Sequence, residues 1–220
     1  SAKEMVSKQL GDGKLLSQET KKKVVYDFRQ NDLKNGGEGA PLAPIFHKLI
    51  SEKIKVEPPL CVINLGGIAN ITSIESGEIS DLGSQDIGPG NCLIDEWIKK
   101  NTNKKYDKDG LIAKSGKKDI LILNQALDNH DNLKKKNILS YDTKDFDLSF
   151  VRGLSLEDGA ATLTEFTGKL LAEATLNYIS KLKTKPKKIL VCGGGRKNST
   201  LISCLKDNMN IGNLVENIDN

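Results

Sequence analysis

A buried strand that leads through a glycine turn into a capped helix, over residues 189–205, most constrains the fold of this chain. The short continuous apolar run Ile189–Cys192 predicts a strand that is covered on both faces. Three glycines follow it directly, and Asn198 is placed to cap a helix that carries Leu201 and Leu205. Because bare backbone at the carboxyl end of a strand lets a base or a phosphate approach, this order is typical of α/β nucleotide sites. A purely structural glycine turn is the alternative.

The glycine-rich strings do not fit the two best-known phosphate loops. The string GGGRKNST at 193–200 lacks the P-loop spacing GxxxxGK followed by Ser or Thr. Neither this string nor residues 36–39 match GxGxxG. The sequence therefore argues against Walker-type and Rossmann dinucleotide sites.

Two more glycine loops lie in the middle of the chain. The β-type runs Cys61–Ile63 and Ile71–Ile74 flank a turn with two glycines, which predicts a hairpin. Exposed amides in such a turn can also cradle phosphate, with a tight structural hairpin as the alternative. Residues 84–91 form a Gly-Pro-Gly loop, and Asn91 is a predicted N-cap of a helix whose N-terminus can hold an anion. Here the alternative is a rigid loop that enters a core helix.

The stretch 24–47 concentrates carboxylates, glycines and prolines. Val24–Tyr26 is predicted to be a buried strand, and Asp27 at its end is well placed for chemistry. Asp32 follows, and the glycines within 36–39 supply backbone that can adopt positive φ or approach a ligand closely.

Helices are predicted from apolar spacing and capping signals. The spacing predicts helices over 45–54 and 120–133, and a capping box at Ser155 opens a long core helix that ends before Pro186. Near the start of the chain, the two glycines beside Asp12 predict a hairpin.

The composition narrows the classes of function. There are 33 basic and 29 acidic residues, giving a net charge of +4, and the lysines are scattered with few aromatic residues among them. This pattern favours a solvated surface over a nucleic-acid interface. No apolar run approaches the roughly 20 residues of a transmembrane helix, and no secretory signal is recognised. We therefore expect a cytoplasmic protein that does not bind membranes.

Cysteine and histidine usage argues against several chemistries. The four cysteines show no CxxC pairing, so they are predicted to be reduced and structural, and no metal site is assigned. His47 and His130 are the only histidines, which argues against a histidine-centred catalytic triad. We expect His47 to be packed and His130 to be exposed.

Six strings together resemble one family, the anhydro-N-acetylmuramic acid kinases of the sugar-kinase, Hsp70 and actin superfamily. In chain order they are DFRQNDLKNGGEGAPLAPIFH, INLGGIANIT, DIGPGNCLIDEW, YDKDG, LEDGAATLTEFT and VCGGGRKNSTLISCL. The resemblance implies a two-lobed α/β fold of the actin and sugar-kinase (ribonuclease H-like) type, with a mixed sheet flanked by helices, incomplete in this chain. Residues 1–58 would be the remainder of the N-terminal lobe, with the substrate segment, and residues 59–220 the nucleotide-binding C-terminal lobe.

The resemblance implies a kinase that uses ATP and Mg²⁺. Such an enzyme cleaves the 1,6-anhydro bond of anhydro-N-acetylmuramic acid with water and phosphorylates O6, giving N-acetylmuramic acid 6-phosphate in peptidoglycan recycling. Asp27 maps to the general base, a role that suits a carboxylate because it is ionised near neutral pH. The sugar site would include Arg29, Asp32, Gly37 and Gly39, with an internal salt bridge between Arg29 and Asp32 as the alternative.

The resemblance also implies a set of nucleotide-binding residues and a homodimer. The set consists of Gly66, Gly67, Asn70, Asp86, Gly88, Gly90, Asn91, Gly193, Gly194, Gly195 and Asn198. Two family features are missing: the Gly-Thr-Ser-x-Asp-Gly hairpin is not found before Gly11, and the Glu-Ala-x-Ala-Phe helix is not found at the C-terminal end. We therefore expect a fragment, or the joined parts of a longer sequence, that does not catalyse the reaction unaided. The alternatives are another sugar kinase of the superfamily and a nucleotide-binding module without turnover.

Overall fold

A computed structural model describes residues 10–37, 39–134 and 143–219. The chain divides into two compact units, residues 1–43 and 44–220. The lobe boundary predicted after residue 58 concerns the complete kinase fold and stays a prediction.

The first unit contains two short helices, α1 (Gly13–Thr20) and α2 (Phe28–Lys34). The hairpin predicted around Asp12 is wrong, because the Asp12 carboxylate accepts hydrogen bonds from the amides of Lys14 and Leu15 at 2.8 and 3.1 Å and so caps α1. The buried strand predicted at Val24–Tyr26 is also wrong. These residues belong to no strand, and the side chain of Val25 is 68% exposed.

The second unit is built on a five-stranded mixed sheet. Its strands are β1 (Leu60–Leu65), β2 (Ile68–Ile74), β3 (Leu82–Pro89), β4 (Lys188–Cys192) and β5 (Val215–Asn217), in the spatial order β3-β2-β1-β4-β5. The predicted hairpin is confirmed as the antiparallel pair β1–β2, and β3 pairs antiparallel with β2. The strands β1, β4 and β5 are parallel to one another. Because β3 therefore runs in the same direction as β1, the carboxyl ends of four strands lie at one edge of the sheet.

Helices cover both faces of the sheet, which confirms the α/β class and the mixed sheet flanked by helices. The α-helices of this unit are α3 (Pro44–Lys53), α4 (Cys92–Asn101), α5 (Leu111–Ser115), α6 (Ile120–Lys134), α7 (Leu156–Ser180) and α8 (Ser199–Asp207). Short 3₁₀ turns lie at Ile79–Asp81, Lys108–Gly110, Thr143–Asp145, Ser149–Val151, Gly194–Lys197 and Gly212–Leu214.

The long helix α7 forms the core on one face of the sheet. Its predicted start is confirmed, since the Ser155 hydroxyl accepts a hydrogen bond from the amide of Asp158 at 3.1 Å. Its side chains Leu163 and Leu171 are fully buried in the same cluster as Ile63 of β1. This cluster fixes the sheet against α4, α7 and α8.

The opposite face carries α3, whose predicted existence is confirmed. The helix buries His47 and Ser51 rather than its apolar residues, and the His47 Nδ1 atom lies 2.8 Å from the hydroxyl of Thr72 on β2. His47 is thus packed, as predicted. The apolar side chains on the exposed side are Ile45, Phe46 and Leu49, each more than half exposed.

Three further predictions can be compared with the structure. The helix predicted over 120–133 is confirmed, but the prediction that His130 is exposed is wrong: its ring is half-buried and stacks on Phe146 at 6.1 Å. All four cysteines are free thiols. In the described ranges, no helix is long and apolar enough to span a lipid bilayer.

Candidate functional site

Two loops pack against each other at the edge where the carboxyl ends of β1, β3, β4 and β5 lie. The amide of Gly90, just after β3, donates to the carbonyl of Gly67 at 2.9 Å, and the amide of Asn91 donates to the carbonyl of Gly66 at 2.7 Å. A Cβ atom on Gly90 would lie 2.2 Å from the Gly66 carbonyl oxygen. Only glycine therefore allows the end of β3 to lie directly on the β1–β2 turn.

The glycine turn after β4 packs against the same edge of the sheet. Gly193 has a φ of +80°, and a Cβ there would lie 2.5 Å from Asn64 Oδ1. A Cβ on Gly195 would lie 2.7 Å from Leu65 Cβ and 2.8 Å from Asn91 Oδ1. Gly194 instead has open space where its Cβ would be. The turn thus packs tightly on β1 at two positions and presents bare backbone at the third.

A cavity of about 580 Å³ lies beside this turn, within the size range of small-molecule sites. The lining comprises the turn itself, the first part of α4 and the turn before α5: Asn91, Asp95, Tyr106, Asp107, Lys108, Asp109, Gly194, Gly195, Arg196, Lys197 and Asn198. The lining includes an exposed aromatic ring, bare glycine backbone and charges of both signs, which suits a ligand with a flat ring and polar groups.

The turn at Lys108–Gly110 is held against the start of α8. The hydroxyl of Ser199 donates to the carbonyl of Asp109 at 2.9 Å, and the hydroxyl of Thr200 donates to the carbonyl of Gly110 at 2.8 Å. Asp109 has a left-handed φ of 57°, a conformation that costs a residue other than glycine about 1 kcal/mol or more and is common at functional sites. The buried Asp107 carboxylate accepts from two backbone amides of α5 at 2.9 Å, so its role is to fix this turn.

An ion pair fixes the outer side of the glycine turn. Arg196 Nε donates to Asp219 at 2.7 Å, and Arg196 Nη1 donates to the carbonyl of Gly193 at 2.8 Å. The hydrogen bond from Arg196 holds the pKa of Asp219 below its usual value. The Asn217 side chain, at the end of β5, donates to the carbonyl of Arg196 at 3.2 Å. The last strand of the sheet therefore positions this wall of the cavity.

The predicted nucleotide-binding residues fall into three groups. Those that line the cavity are Asn91, Gly194, Gly195 and Asn198. Those in the packed turns beside it are Gly66, Gly67, Gly90 and Gly193. Those further along β2 and β3 are Asn70, Asp86 and Gly88, where Asn70 pairs with Asp86 next to a bulge and Gly88 has a φ of +130°. Their roles in binding stay predictions.

The two predicted caps have different outcomes. Asn198 caps α8 as predicted, because its Oδ1 atom accepts from the amide of Leu201 at 3.0 Å. Asn91 precedes α4 as predicted but does not cap it with its side chain. Its Nδ2 group instead donates to the carbonyl of Leu65 at 3.2 Å, which ties the loop to β1.

Several cavity residues were not predicted as site residues: Asp95, Tyr106, Asp107, Lys108, Asp109, Arg196 and Lys197. These residues lie in the strings DIGPGNCLIDEW at 86–97, YDKDG at 106–110 and VCGGGRKNSTLISCL at 191–205, so the resemblance of these strings to a family was the available signal. Apart from that resemblance, Asp95 and Arg196 carry no signal of their own, because their patterns are those of an ordinary helix residue and an ordinary basic residue.

The predicted sugar-site residues lie in the first unit. Asp27 is exposed at the N-terminus of α2, with a left-handed φ of 69°, rather than at a strand end. The Asp32 carboxylate accepts from the amide of Gly39 at 2.8 Å and fills the space where a Cβ on Gly37 would lie. Arg29 is exposed and forms no ion pair with Asp32 within the residues that the structure describes. Asp32 thus holds the glycine loop, and Asp27 and Arg29 face solvent.

No group of three or more His, Cys, Asp or Glu side chains able to hold a metal ion occurs in the described residues. A closed all-protein metal site is therefore not found in that part of the chain. Mg²⁺ does not need one, since it binds through one or two carboxylates together with phosphate oxygens and water.

The chain matches a family model over nearly its whole length. The model is described as anhydro-N-acetylmuramic acid kinase and matches residues 1–218. An anhydro-N-acetylmuramic acid kinase of Pelagibacter ubique is 53% identical over 94% of this chain and 55% of that protein. Those of Zymomonas mobilis and Rhodospirillum rubrum are 46% and 42% identical, each over 91% of this chain and 53% and 51% of their own lengths. The chain spans about half the length of the curated relatives it matches.

One solved structure, described as the activator of the 2-hydroxyisocaproyl-CoA dehydratase from Clostridium difficile with bound ADPNP, overlaps more distantly. It is 14% identical, covers 77% of this chain and 58% of that chain, and gives a TM-score of 0.46. A similarity at this level carries no argument about function.

Proposed function

We propose that this chain, which belongs to the anhydro-N-acetylmuramic acid kinase family, binds ATP in the cavity beside the glycine turn after β4. The observation that carries the proposal is the meeting of the glycine turn 193–195 with the loop 89–91 and the β1–β2 turn at one edge of the sheet. Ligands of open α/β sheets bind outside the carboxyl ends of the strands, where this cavity lies.

The residues present fit a nucleotide. Gly194 offers bare backbone with open space above it, so a side chain there would occupy the cavity. Tyr106 is 56% exposed and lines the cavity, as an aromatic surface for a base would. Lys108 and Lys197 add positive charge for phosphates. Asp86 is the carboxylate among the predicted nucleotide residues that would hold Mg²⁺, which would supply charge neutralisation to the phosphates.

The complete reaction is the second part of the proposal. Water adds to C1 of anhydro-N-acetylmuramic acid as the bond from C1 to O6 breaks, O6 takes the γ-phosphoryl group of ATP, and Asp27 accepts the proton lost by the water. The products are N-acetylmuramic acid 6-phosphate and ADP. The exposure of Asp27 supports this role, because a carboxylate at the N-terminus of α2 that faces solvent is accessible to a substrate. Family membership is the basis for proposing a cytoplasmic homodimer that acts in peptidoglycan recycling.

Nucleotide binding can be tested on this chain by titration calorimetry with ATP and Mg²⁺. We expect Gly194→Val to weaken ATP binding at least about tenfold, because the new side chain enters the cavity. The melting temperature should stay unchanged, because the new Cβ meets no protein atom within 4 Å. Gly77→Val is the matched control, since Gly77 also has open space at its Cβ but does not line the cavity. Equal ATP affinity in the wild type and Gly194→Val would place the nucleotide elsewhere.

Turnover is tested in the native protein. Asp27→Asn should abolish phosphorylation of anhydro-N-acetylmuramic acid and leave ATP affinity within about twofold, because the amide cannot accept the proton. Undiminished turnover in Asp27→Asn would exclude Asp27 as the base. ATP binding without turnover on any sugar of a panel would favour the nucleotide-binding module, and turnover on a different sugar would favour another kinase of the superfamily.

A further inference from the structure

We infer that Asp95 binds the ribose hydroxyls of the nucleotide and makes the cavity selective for ribonucleotides over deoxyribonucleotides. This inference rests on the proposed function, since it concerns how the same cavity recognises its nucleotide.

The position of Asp95 places it in the cavity wall. It lies in the first turn of α4, where its amide donates to the carbonyl of Asn91 at 2.8 Å. Asn91 and Asp95, one turn apart, line the same cavity as Gly194 and Gly195. The hydrogen bonds of the Asn91 backbone and side chain to Gly66 and to Leu65 fix the start of α4, and so fix Asp95.

The Asp95 carboxylate is half-buried and makes no hydrogen bond or ion pair with the residues that the structure describes. Burial raises its pKa, although the Lys99 ammonium one turn away partly offsets this effect. Asp107, the other cavity acid removed from solvent, uses both of its oxygens on backbone amides. A half-buried carboxylate without donors is costly, and a ligand that supplies two donors offsets that cost.

Different residues of the cavity suit different parts of a nucleotide. A carboxylate can accept a hydrogen bond at each oxygen, which matches the adjacent 2′- and 3′-hydroxyls of a ribose. In dinucleotide-binding folds an acidic residue accepts a hydrogen bond from the ribose 2′-hydroxyl. Phosphates would be repelled by Asp95 and are better served by Lys108 and Lys197. The Tyr106 ring and the bare backbone of Gly194 suit the base. The ribose, which lies between base and phosphates, is thus the part left for Asp95.

The test compares the affinities of ATP, 2′-deoxy-ATP and 3′-deoxy-ATP for this chain by titration calorimetry. Each hydroxyl bonded to a charged group should contribute about tenfold or more in affinity, so the wild type should prefer ATP over both analogues by about that factor. Asp95→Asn and Asp95→Ala should lose most of this preference. Glu96→Gln is the matched control, because the neighbouring Glu96 is exposed and pairs with Lys100 at 2.6 Å. It should keep the full preference.

Each outcome separates this inference from the proposed function. Equal affinity of the wild type for all three nucleotides would overturn the role of Asp95 while leaving ATP binding in place. No binding of any nucleotide by the folded wild type would overturn both. If one of the variants Asp95→Asn and Asp95→Ala melts early, the other serves alone, and a preference retained in the folded variant would refute the assignment.

Discussion

Replacing Gly90 by alanine should destabilise the second unit, because no space exists for one methyl group at that position. The new Cβ would lie 2.2 Å from the Gly66 carbonyl oxygen and 3.3 Å from that of Gly67. Since real contacts are near 3.4 Å, the β1–β2 turn would have to move by about 1 Å. That movement would break the bonds from Gly90 to Gly67 at 2.9 Å and from Asn91 to Gly66 at 2.7 Å.

The size of the loss follows from these contacts. Two backbone hydrogen bonds contribute about 1 kcal/mol each, and the overpacking adds about 1–3 kcal/mol. We therefore expect about 3–5 kcal/mol less unfolding free energy, and a melting temperature lower by about 6–20 °C for a chain of this size. Urea titration followed by the fluorescence of Trp97 is the assay, since this is the single tryptophan and it is buried in the second unit.

Gly77→Ala is the control, because its Cβ would meet no atom within 4 Å. Its urea midpoint should stay within the error of the wild type. A Gly90→Ala midpoint that matches the control, with an unchanged slope, would refute the packing described for this edge of the sheet.

Two further predictions concern other sites. Burial lowers the pKa of His47, so the folded state favours neutral imidazole, whereas the unfolded chain titrates near 6.5. The contribution of His47 to stability should therefore be complete above pH 6.5 and should fall as the pH drops through 6.5 towards the folded pKa. Urea titrations at pH 7.5, 6.5 and 5.5 measure this fall, which should be absent in His47→Gln. Asp219→Asn removes the partner of Arg196 and should weaken ATP binding by about two- to fivefold with little change in melting temperature; a tenfold loss or none in calorimetry would contradict a purely positioning ion pair.

Much of the second unit could be predicted because its signals are local. The apolar run Ile189–Cys192 with its following glycines, and Ser155 with Asp158 three residues on, need only their neighbours in sequence to form a strand, a turn and a helix start. Val24–Tyr26 has the same composition as a strand but no paired strand in the described structure, and pairing rather than propensity makes a strand.

The cavity could be predicted only in part. Its lining comes from three segments, 91–95, 106–109 and 194–198, that lie up to about a hundred residues apart and meet only through tertiary packing, in which α4 and α8 both pack against α7. The glycines could be recognised as turn or site positions from the sequence, because few other residues can adopt their backbone conformations. Nothing in the local sequence around Asp95 shows that its carboxylate, on the amphipathic helix α4, lines a cavity instead of facing bulk water.

The pairing of β1 with β4 also determines when the cavity can form. The hairpin β1–β2 closes a short loop, whereas the parallel pair joins Asn64 to Cys192, 128 residues further along the chain. Closing so long a loop is slow and gains nothing until the distant strand exists. During synthesis the ribosome must therefore release residue 192 and the turn after it before the cavity proposed to bind the nucleotide can form.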